Sequence, residues 1–341
     1  MIKPKALKQG DTVGVVAPSD AVEKEGVERS IEIIKSWGLK VRVGKHVYAK
    51  VGDFMAGTAE ERIEDLKSMI YDDEVKAIWS ASGGYAVTEV APMFNKEVIG
   101  YLQDHPKLFI GYSDVCLILN ALTSFKMTSI MGPCVWGLYE WDKKTQAMLK
   151  KMMFGEEVLG IGPESKWKAY LPGVAEGDIV ASNLQLLVYS FGSRFDPLMY
   201  GNSDVILVIE EWDTEKCEIQ RQVDIILGHK RAKRIKGMVW GRFVGIKELS
   251  YPEWGKKVSP ESLVRDRAKK FGIPLAFCYD LGHAEWDMGR FPEIKRWFSN
   301  RKFLSVPNRI KAKLTVGEKE CKLEYLESVC QVENEQRMAT S

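Results

Sequence analysis

Through the first 155 residues, short unbroken apolar runs alternate with stretches whose apolar residues recur every three or four positions. Thr12 to Val16 predicts a buried first strand that runs into Ala17-Pro18-Ser19 as a loop. Val27, Ile31, Ile34 and Trp37 mark one face of a helix, which Gly38 is placed to stop, and Leu39 to Val43 follows as a second short strand. Thr58-Ala59-Glu60-Glu61 has the form of a capping box for a helix continued by Ile63, Leu66 and Ile70. Val75 to Ser80, Lys107 to Gly111 and Met127 to Gly132 predict three further strands. Such alternation implies a parallel sheet with right-handed crossovers and with ligands gathered at the carboxyl ends of its strands. Gly83-Gly84 and Ser113 both fall at that end.

Beyond Gly155 the pattern changes. Residues 156–172 are rich in glycine and proline and read as a linker between an α/β domain (1–155) and a second domain (173–341). The second domain has shorter, glycine-punctuated strands: Asp178 to Ala181, Val205 to Trp212, Met238 to Val244 and Leu275 to Leu281. A hairpin-like pair, Arg309 to Val316 and Cys321 to Tyr325, follows them. One helix is marked by Ile219, Val223 and Ile226, and another opens on Ser259-Pro260-Glu261 and stops at Gly272. Mixed β with some helix predicts a small β-barrel-like or sandwich domain, and the polar residues from Gln331 onward read as a frayed end.

Composition narrows the function. With 45% apolar and 28% charged residues among 341, the chain is ordinary for a globular protein, and a net charge of +2 gives no field that demands nucleic acid. The basic cluster from His229 to Arg234 follows a helix end and suits that helix's dipole. Six cysteines without a CxxC pair read as buried reduced thiols. With no signal-like N-terminus and no membrane-length apolar window, a cytoplasmic protein is expected. No HExxH, clustered His and Cys, Walker or GxGxxG pattern is present, so no metal or nucleotide cofactor is expected.

Candidate chemistry centres on Ile110-Gly111-Tyr112-Ser113-Asp114, where a strand ends in glycine and a helix-like apolar face begins just after a serine. This is the order of a nucleophile elbow, although Val115 stands where the second glycine of Gly-x-Ser-x-Gly would be. The other reading is a plain helix N-cap. A serine nucleophile needs a base, usually histidine. His105 lies at the opposite end of the sheet, His229 sits among cations, and His46 stays open in a Lys- and Tyr-rich loop. His283, ending an apolar strand just after Gly282, is the favoured base, and Glu210 at the end of its own strand the favoured acid, with Glu211, Asp213 and Asp280 as rivals. The Asp114 N–H and the Gly83-Gly84 backbone are candidate oxyanion donors, and Arg242 is a candidate cation for a substrate carboxylate.

With these residues in hand, the sequence resembles the LD-carboxypeptidase family of serine peptidases, which takes in muramoyltetrapeptide carboxypeptidases and the microcin C immunity peptidase. The resemblance rests on Val16-Ala17-Pro18-Ser19, Ala56 to Arg62, Gly83-Gly84-Tyr85, Ile110 to Asp114, Ser182-Asn183-Leu184, Ile206 to Glu211, Lys236 to Phe243 and Gly282-His283. It implies a triad of Ser113, Glu210 and His283, a site between two domains, a homodimer, and cofactor-free hydrolysis of an amide next to a free carboxylate in a small peptide. Departures bear on the substrate. Ser82 stands where the muramoyl enzymes usually have arginine, Ala86 replaces a usual glycine, and 284–292 diverges. Chain length and an insertion around 250–262 resemble the microcin-immunity branch, which cleaves peptidyl- or aminoacyl-nucleotide amides. Two rivals remain: a glutaminase of the class I amidotransferase type, for which Cys116 comes three residues too late, and an inactive muropeptide- or nucleotide-binding protein.

Overall fold

The computed structural model describes residues 1–199, 201–247, 258–284 and 301–332. The chain begins with β1 (Thr12–Val16), α1 (Lys24–Ser36), β2 (Lys40–Val43), α2 (Ala59–Ile70), β3 (Val75–Ser80), α3 (Val87–Val90) and α4 (Lys96–Asp104). It continues through β4 (Leu108–Gly111), α5 (Cys116–Ser124), β5 (Ser129–Met131) and α6 (Lys143–Met153). Next come β6 (Gly160–Ile161), β7 (Trp167–Leu171), β8 (Gly173–Asn183), α7 (Leu184–Ser190), β9 (Val205–Trp212) and α8 (Lys216–Leu227). The remaining elements are β10 (Ile235–Val244), α9 (Pro260–Lys270), β11 (Leu275–Cys278), β12 (Val306–Asn308), β13 (Lys311–Val316) and β14 (Cys321–Tyr325).

Two sheets organise the described residues. The first has the order β12-β5-β4-β3-β1-β2. Its five N-terminal strands are parallel, as the alternation predicted, and only β12 is antiparallel. The chain moves outward from β1 to β2 and then returns to place β3 on the other side of β1. The crevice beyond the carboxyl ends of β1 and β3 is therefore the switch point where such sheets bind ligands. The capping box is present in full: Glu61 N–H donates to Thr58 Oγ1 (3.3 Å), and Thr58 N–H donates to the Glu61 carboxylate (2.9 Å).

The second sheet, β6-β14-β13-β8-β9-β10-β11-β7, curls until β14 touches β7, which gives the barrel-like form expected. Its centre, β8-β9-β10-β11, is parallel, and α8 and α9 pack against each other beside it. Alternate residues of β9 face two different cores. Val205, Leu207 and Ile209 pack with α7, α8 and α9, while Ile206 and Val208 join the core of the first sheet. The core of the first sheet thus extends into the second lobe, beside a separate core under α7, α8 and α9.

Several expectations need correction. Residues 156–172 are more than a linker, because β6 and β7 within them form the two edges of the second sheet. The boundary at 173 is also crossed, because β12 pairs with β5 of the first sheet. Gln331 is tied down by Ala6 N–H donating to its carbonyl (2.9 Å) and by its own N–H donating to Pro4 O (2.8 Å). Residues 333–341 of that tail lie outside the described residues, as do 250–257 of the expected insertion and 285–292 of the divergent stretch. His229 does not serve as a solvated helix cap. Its Nε2 is 3.0 Å from the fully buried Asp196 carboxylate, and its ring packs on Phe191. All cysteines but Cys217 are buried, and none is in a disulfide. Among the described residues no helix is long and apolar enough to cross a membrane, and no group of three His, Cys, Asp or Glu side chains is placed to hold a metal ion.

Candidate active site

The elbow is built by close packing. β4 ends at Gly111, and Ser113 takes the left-handed conformation with φ +62°, a strained choice for a residue with a side chain. A 3₁₀ turn from Ser113 to Val115 then feeds α5. Val115, in place of the second glycine, folds back over the strand: a Cβ at Gly111 would lie 2.8 Å from Val115 Cγ1. The small residue is needed on the strand side only. α5 is buried at every position and wedged against α7 and β8, so it fixes Ser113 from behind.

The glycine loop after β3 meets the elbow edge-on. A Cβ at Gly83 would come 2.6 Å from Ser113 Cβ and 3.3 Å from Asp114 N, so only glycine permits this approach. Gly84 has φ +138° and lies against Asp20. The Asp114 side chain, unnoticed in the sequence, ties this loop to the elbow. Its Oδ2 accepts from Ser19 Oγ (2.5 Å) and Val87 N–H (2.8 Å), while Ala86 N–H donates to Ser19 Oγ (3.0 Å). Burial pushes its carboxyl up to about 6, against the pull of the hydrogen bonds from Ser19 and Val87.

Across the cleft, Glu210 and His283 form a buried pair. His283 Nδ1 lies 2.5 Å from Glu210 Oε2, and His283 N–H donates to the same oxygen at 3.2 Å. A carboxylate only accepts, so Nδ1 carries a proton and Nε2 is left as the nitrogen that can take one up. The backbone allows the pairing through Gly282, at φ +81°, where a Cβ would meet Glu210 Cβ at 2.5 Å. Burial pushes the Glu210 carboxyl up, but the charge and hydrogen bonds of His283 prevail and hold it below the usual range. Asn183 Nδ2 donates to both Glu210 Oε1 and Glu211 Oε1 at 3.2 Å, a link with no local sequence signal. Trp212 stacks on the imidazole (5.5 Å, 17°) and Tyr112 tilts onto it (4.8 Å, 52°).

Ser113, Gly83, Gly84, Tyr85, Trp212 and His283 are among the residues lining one open cavity. The rival residues are engaged elsewhere. Glu211 caps α7 through Gln185 N–H (3.1 Å), and burial followed by repulsion from Glu210 pushes its carboxyl up to about 7. Asp213 pairs with Lys247 (2.9 Å), and Asp280 accepts from Lys166 N–H (3.2 Å). His46 sits between Glu61 and Glu64 (3.4 and 3.3 Å), away from the cavity lining, and His105 stacks on Tyr101 at the end of α4. Arg242 is not the expected substrate cation, because its guanidinium is spent on main-chain carbonyls around His283.

Two family models match the chain, one described as the LD-carboxypeptidase N-terminal domain over residues 13–132 and the other as the LD-carboxypeptidase C-terminal domain over 176–288. The class is therefore a hydrolase, a serine peptidase. The Bacillus subtilis (strain 168) protein named "Probable murein peptide carboxypeptidase" is 30% identical over 82% of this chain and 86% of its own length. The Escherichia coli microcin C7 self-immunity protein MccF is 22% identical, covering 81% and 87%. A structure of MccF in complex with glutamyl sulfamoyl guanosine has the same fold, with TM-score 0.78 at 17% identity over 96% of this chain and 99% of that one. So does muramoyltetrapeptide carboxypeptidase from Oxalobacter formigenes, with TM-score 0.73 at 20% identity over 92% and 98%. The chain belongs to the LD-carboxypeptidase family.

Proposed function

We propose that this protein is a serine carboxypeptidase that hydrolyses an amide next to a free carboxylate in muropeptide-type substrates, through a triad of Ser113, His283 and Glu210. The observation that carries the reading is the Glu210–His283 hydrogen bond at 2.5 Å, on a cavity that Ser113 also lines. Ser113 Oγ adds to the carbonyl carbon and its proton passes to His283 Nε2. Glu210 holds the ring's tautomer and stabilises the imidazolium. The oxyanion is met by the N–H of Asp114 and of Gly83 or Gly84. As the C–N bond breaks, His283 returns the proton to the leaving amine, whose own carboxylate makes it an amino acid. Water then repeats the sequence on the acyl-serine and frees the acid. No cofactor enters these steps.

A second substrate class has one observation in its favour. Tyr85, which is 57% exposed, Trp136 and Trp212 give the cavity flat apolar walls suited to a nucleobase. The curated name of MccF and its complexes with aminoacyl sulfamoyl nucleosides lend the same support. A turnover comparison of muramoyl tetrapeptide with aspartyl sulfamoyl adenosine separates the two. Faster release of alanine from the tetrapeptide supports the main reading, faster cleavage of the nucleoside amide replaces it, and binding of either without turnover marks a binding protein. By the same family likeness we propose a cytoplasmic homodimer, for which sedimentation and fractionation are the tests.

A further inference from the structure

Near the carboxyl end of β10 its ladder with β9 slips. Trp240 pairs with Ile209 but Phe243 with Glu211, so three steps on β10 answer two on β9. Such a bulge turns a side chain out of the regular alternation. Gly241 lies in it, so close to Glu210 and Leu281 that a Cβ would come 3.1 Å from Glu210 Cβ and 2.9 Å from Leu281 O. Arg242 is the next residue. Its main-chain N–H donates to Leu281 O (3.0 Å), and its guanidinium enters the turn that carries His283. There Nε donates to His283 O (2.6 Å), Nη1 to Tyr279 O (3.1 Å), and Nη2 to Gly282 O and to Lys302 O (2.9 Å). One side chain thus gathers three carbonyls of residues 279–283 and one from the strand-bound segment beyond. Carbonyl dipoles that converge this closely repel each other unless donors lie between them. A planar cation with five N–H groups meets that need, whereas a lysine has only three donors on a single nitrogen.

We propose that Arg242 is a positioning residue for the reaction: a cationic clamp on the 279–283 turn that sets the His283 ring between Glu210 and the cavity. The turn it closes is the one whose Gly282 and His283 lie against the Glu210 carboxylate. Arg242 itself is not among the residues lining the cavity, so it acts on the base and leaves the substrate to others. This rests on the reading of Ser113, His283 and Glu210 as the catalytic unit.

Steady-state kinetics of Arg242→Lys, Arg242→Gln and Arg242→Ala on the better of the two substrates test the clamp. For Arg242→Gln, kcat should fall about 100-fold, the scale on which a displaced catalytic group loses rate, with KM changed by less than about twofold. Arg242→Lys, which keeps the charge and most of the stem, should fall about tenfold and serves as the decisive variant if the others fail to fold. Added guanidinium ion should recover part of the rate in Arg242→Ala and none in His283→Ala. A raised KM at unchanged kcat would make Arg242 a substrate-binding residue and overturn the proposal, as would wild-type kcat in Arg242→Lys and Arg242→Gln. If Ser113→Ala and His283→Ala also turn over normally, the catalytic reading itself has failed; if those two are inactive, only the clamp has.

Discussion

The two banks of the cleft are held by different physics. On the elbow bank, position comes from the backbone: a serine forced to φ +62°, a strand glycine covered by Val115, and Gly83 pressed to within a missing Cβ of Ser113. On the other bank, position comes from side-chain hydrogen bonds over long sequence separations, from His283 to Glu210, Asn183 to Glu210, and Arg242 to the carbonyls of 279–283. The first bank should fail abruptly when an atom is added or the proposed nucleophile is removed. On the second, loss of Glu210 or His283 should remove the proton relay outright, whereas the supports Asn183 and Arg242 should fail by degrees, because each carries only part of the geometry.

The largest effect should come from Ser113→Ala, which is expected to lower kcat by about four to six orders of magnitude with the fold intact by circular dichroism. Glu210→Gln keeps the shape but loses the charge and the tautomer control. Its kcat should fall by about 10³–10⁴-fold, measured on the same substrate. Gly83→Ala pushes a methyl into Ser113 and displaces a proposed oxyanion donor. It should cost about 10²–10³ in kcat and also lower the unfolding temperature, because Ser113 Cβ has no room to give.

Asp114→Asn should separate stability from function on the elbow bank. The buried carboxyl is raised from its ordinary 3.8 to about 6, so its contribution to stability is fully present below pH 3.8 and is lost as pH rises through about 6. The asparagine variant escapes that loss. Its stability relative to wild type should rise across that window, by at most about 3 kcal/mol, in urea midpoints taken at pH 4 and pH 7. Its kcat should nonetheless fall, because the loop of Gly83 and Gly84 is tied to the elbow through this carboxylate. The smallest effect should be at Trp212→Ala: a few-fold rise in KM, larger for whichever substrate class stacks on it.

Much of the first lobe could be read from the chain because its signals are local. Thr58 and Glu61 announce a helix start, Gly111 and Ser113 bracket a turn, and five apolar runs separated by helical periodicity leave few alternatives to a parallel sheet. The second lobe hid more. Its apolar strands 178–183, 205–212, 235–244 and 275–278 pair in parallel, but the frequent glycines disguised the β/α alternation between them. Val306–Asn308 joins the first sheet through pairing with Ser129–Met131, which no periodicity could foretell. Glu210 and His283 could be picked out as polar residues closing apolar runs, although Glu210 lies inside β9 and His283 in the turn beyond β11. The partnership of Asn183, the aromatic pair on the imidazole and the bulge that aims Arg242 depend on contacts between residues tens of positions apart.

The most direct test is covalent labelling with a serine-directed phosphonate, followed by peptide mapping of wild type, His283→Ala and Glu210→Gln. A single adduct on Ser113 is expected in the wild type, with labelling greatly slowed in His283→Ala and slowed in Glu210→Gln. Wild-type labelling rates in His283→Ala, or an adduct on any other residue, would contradict the claim that the imidazole activates this serine.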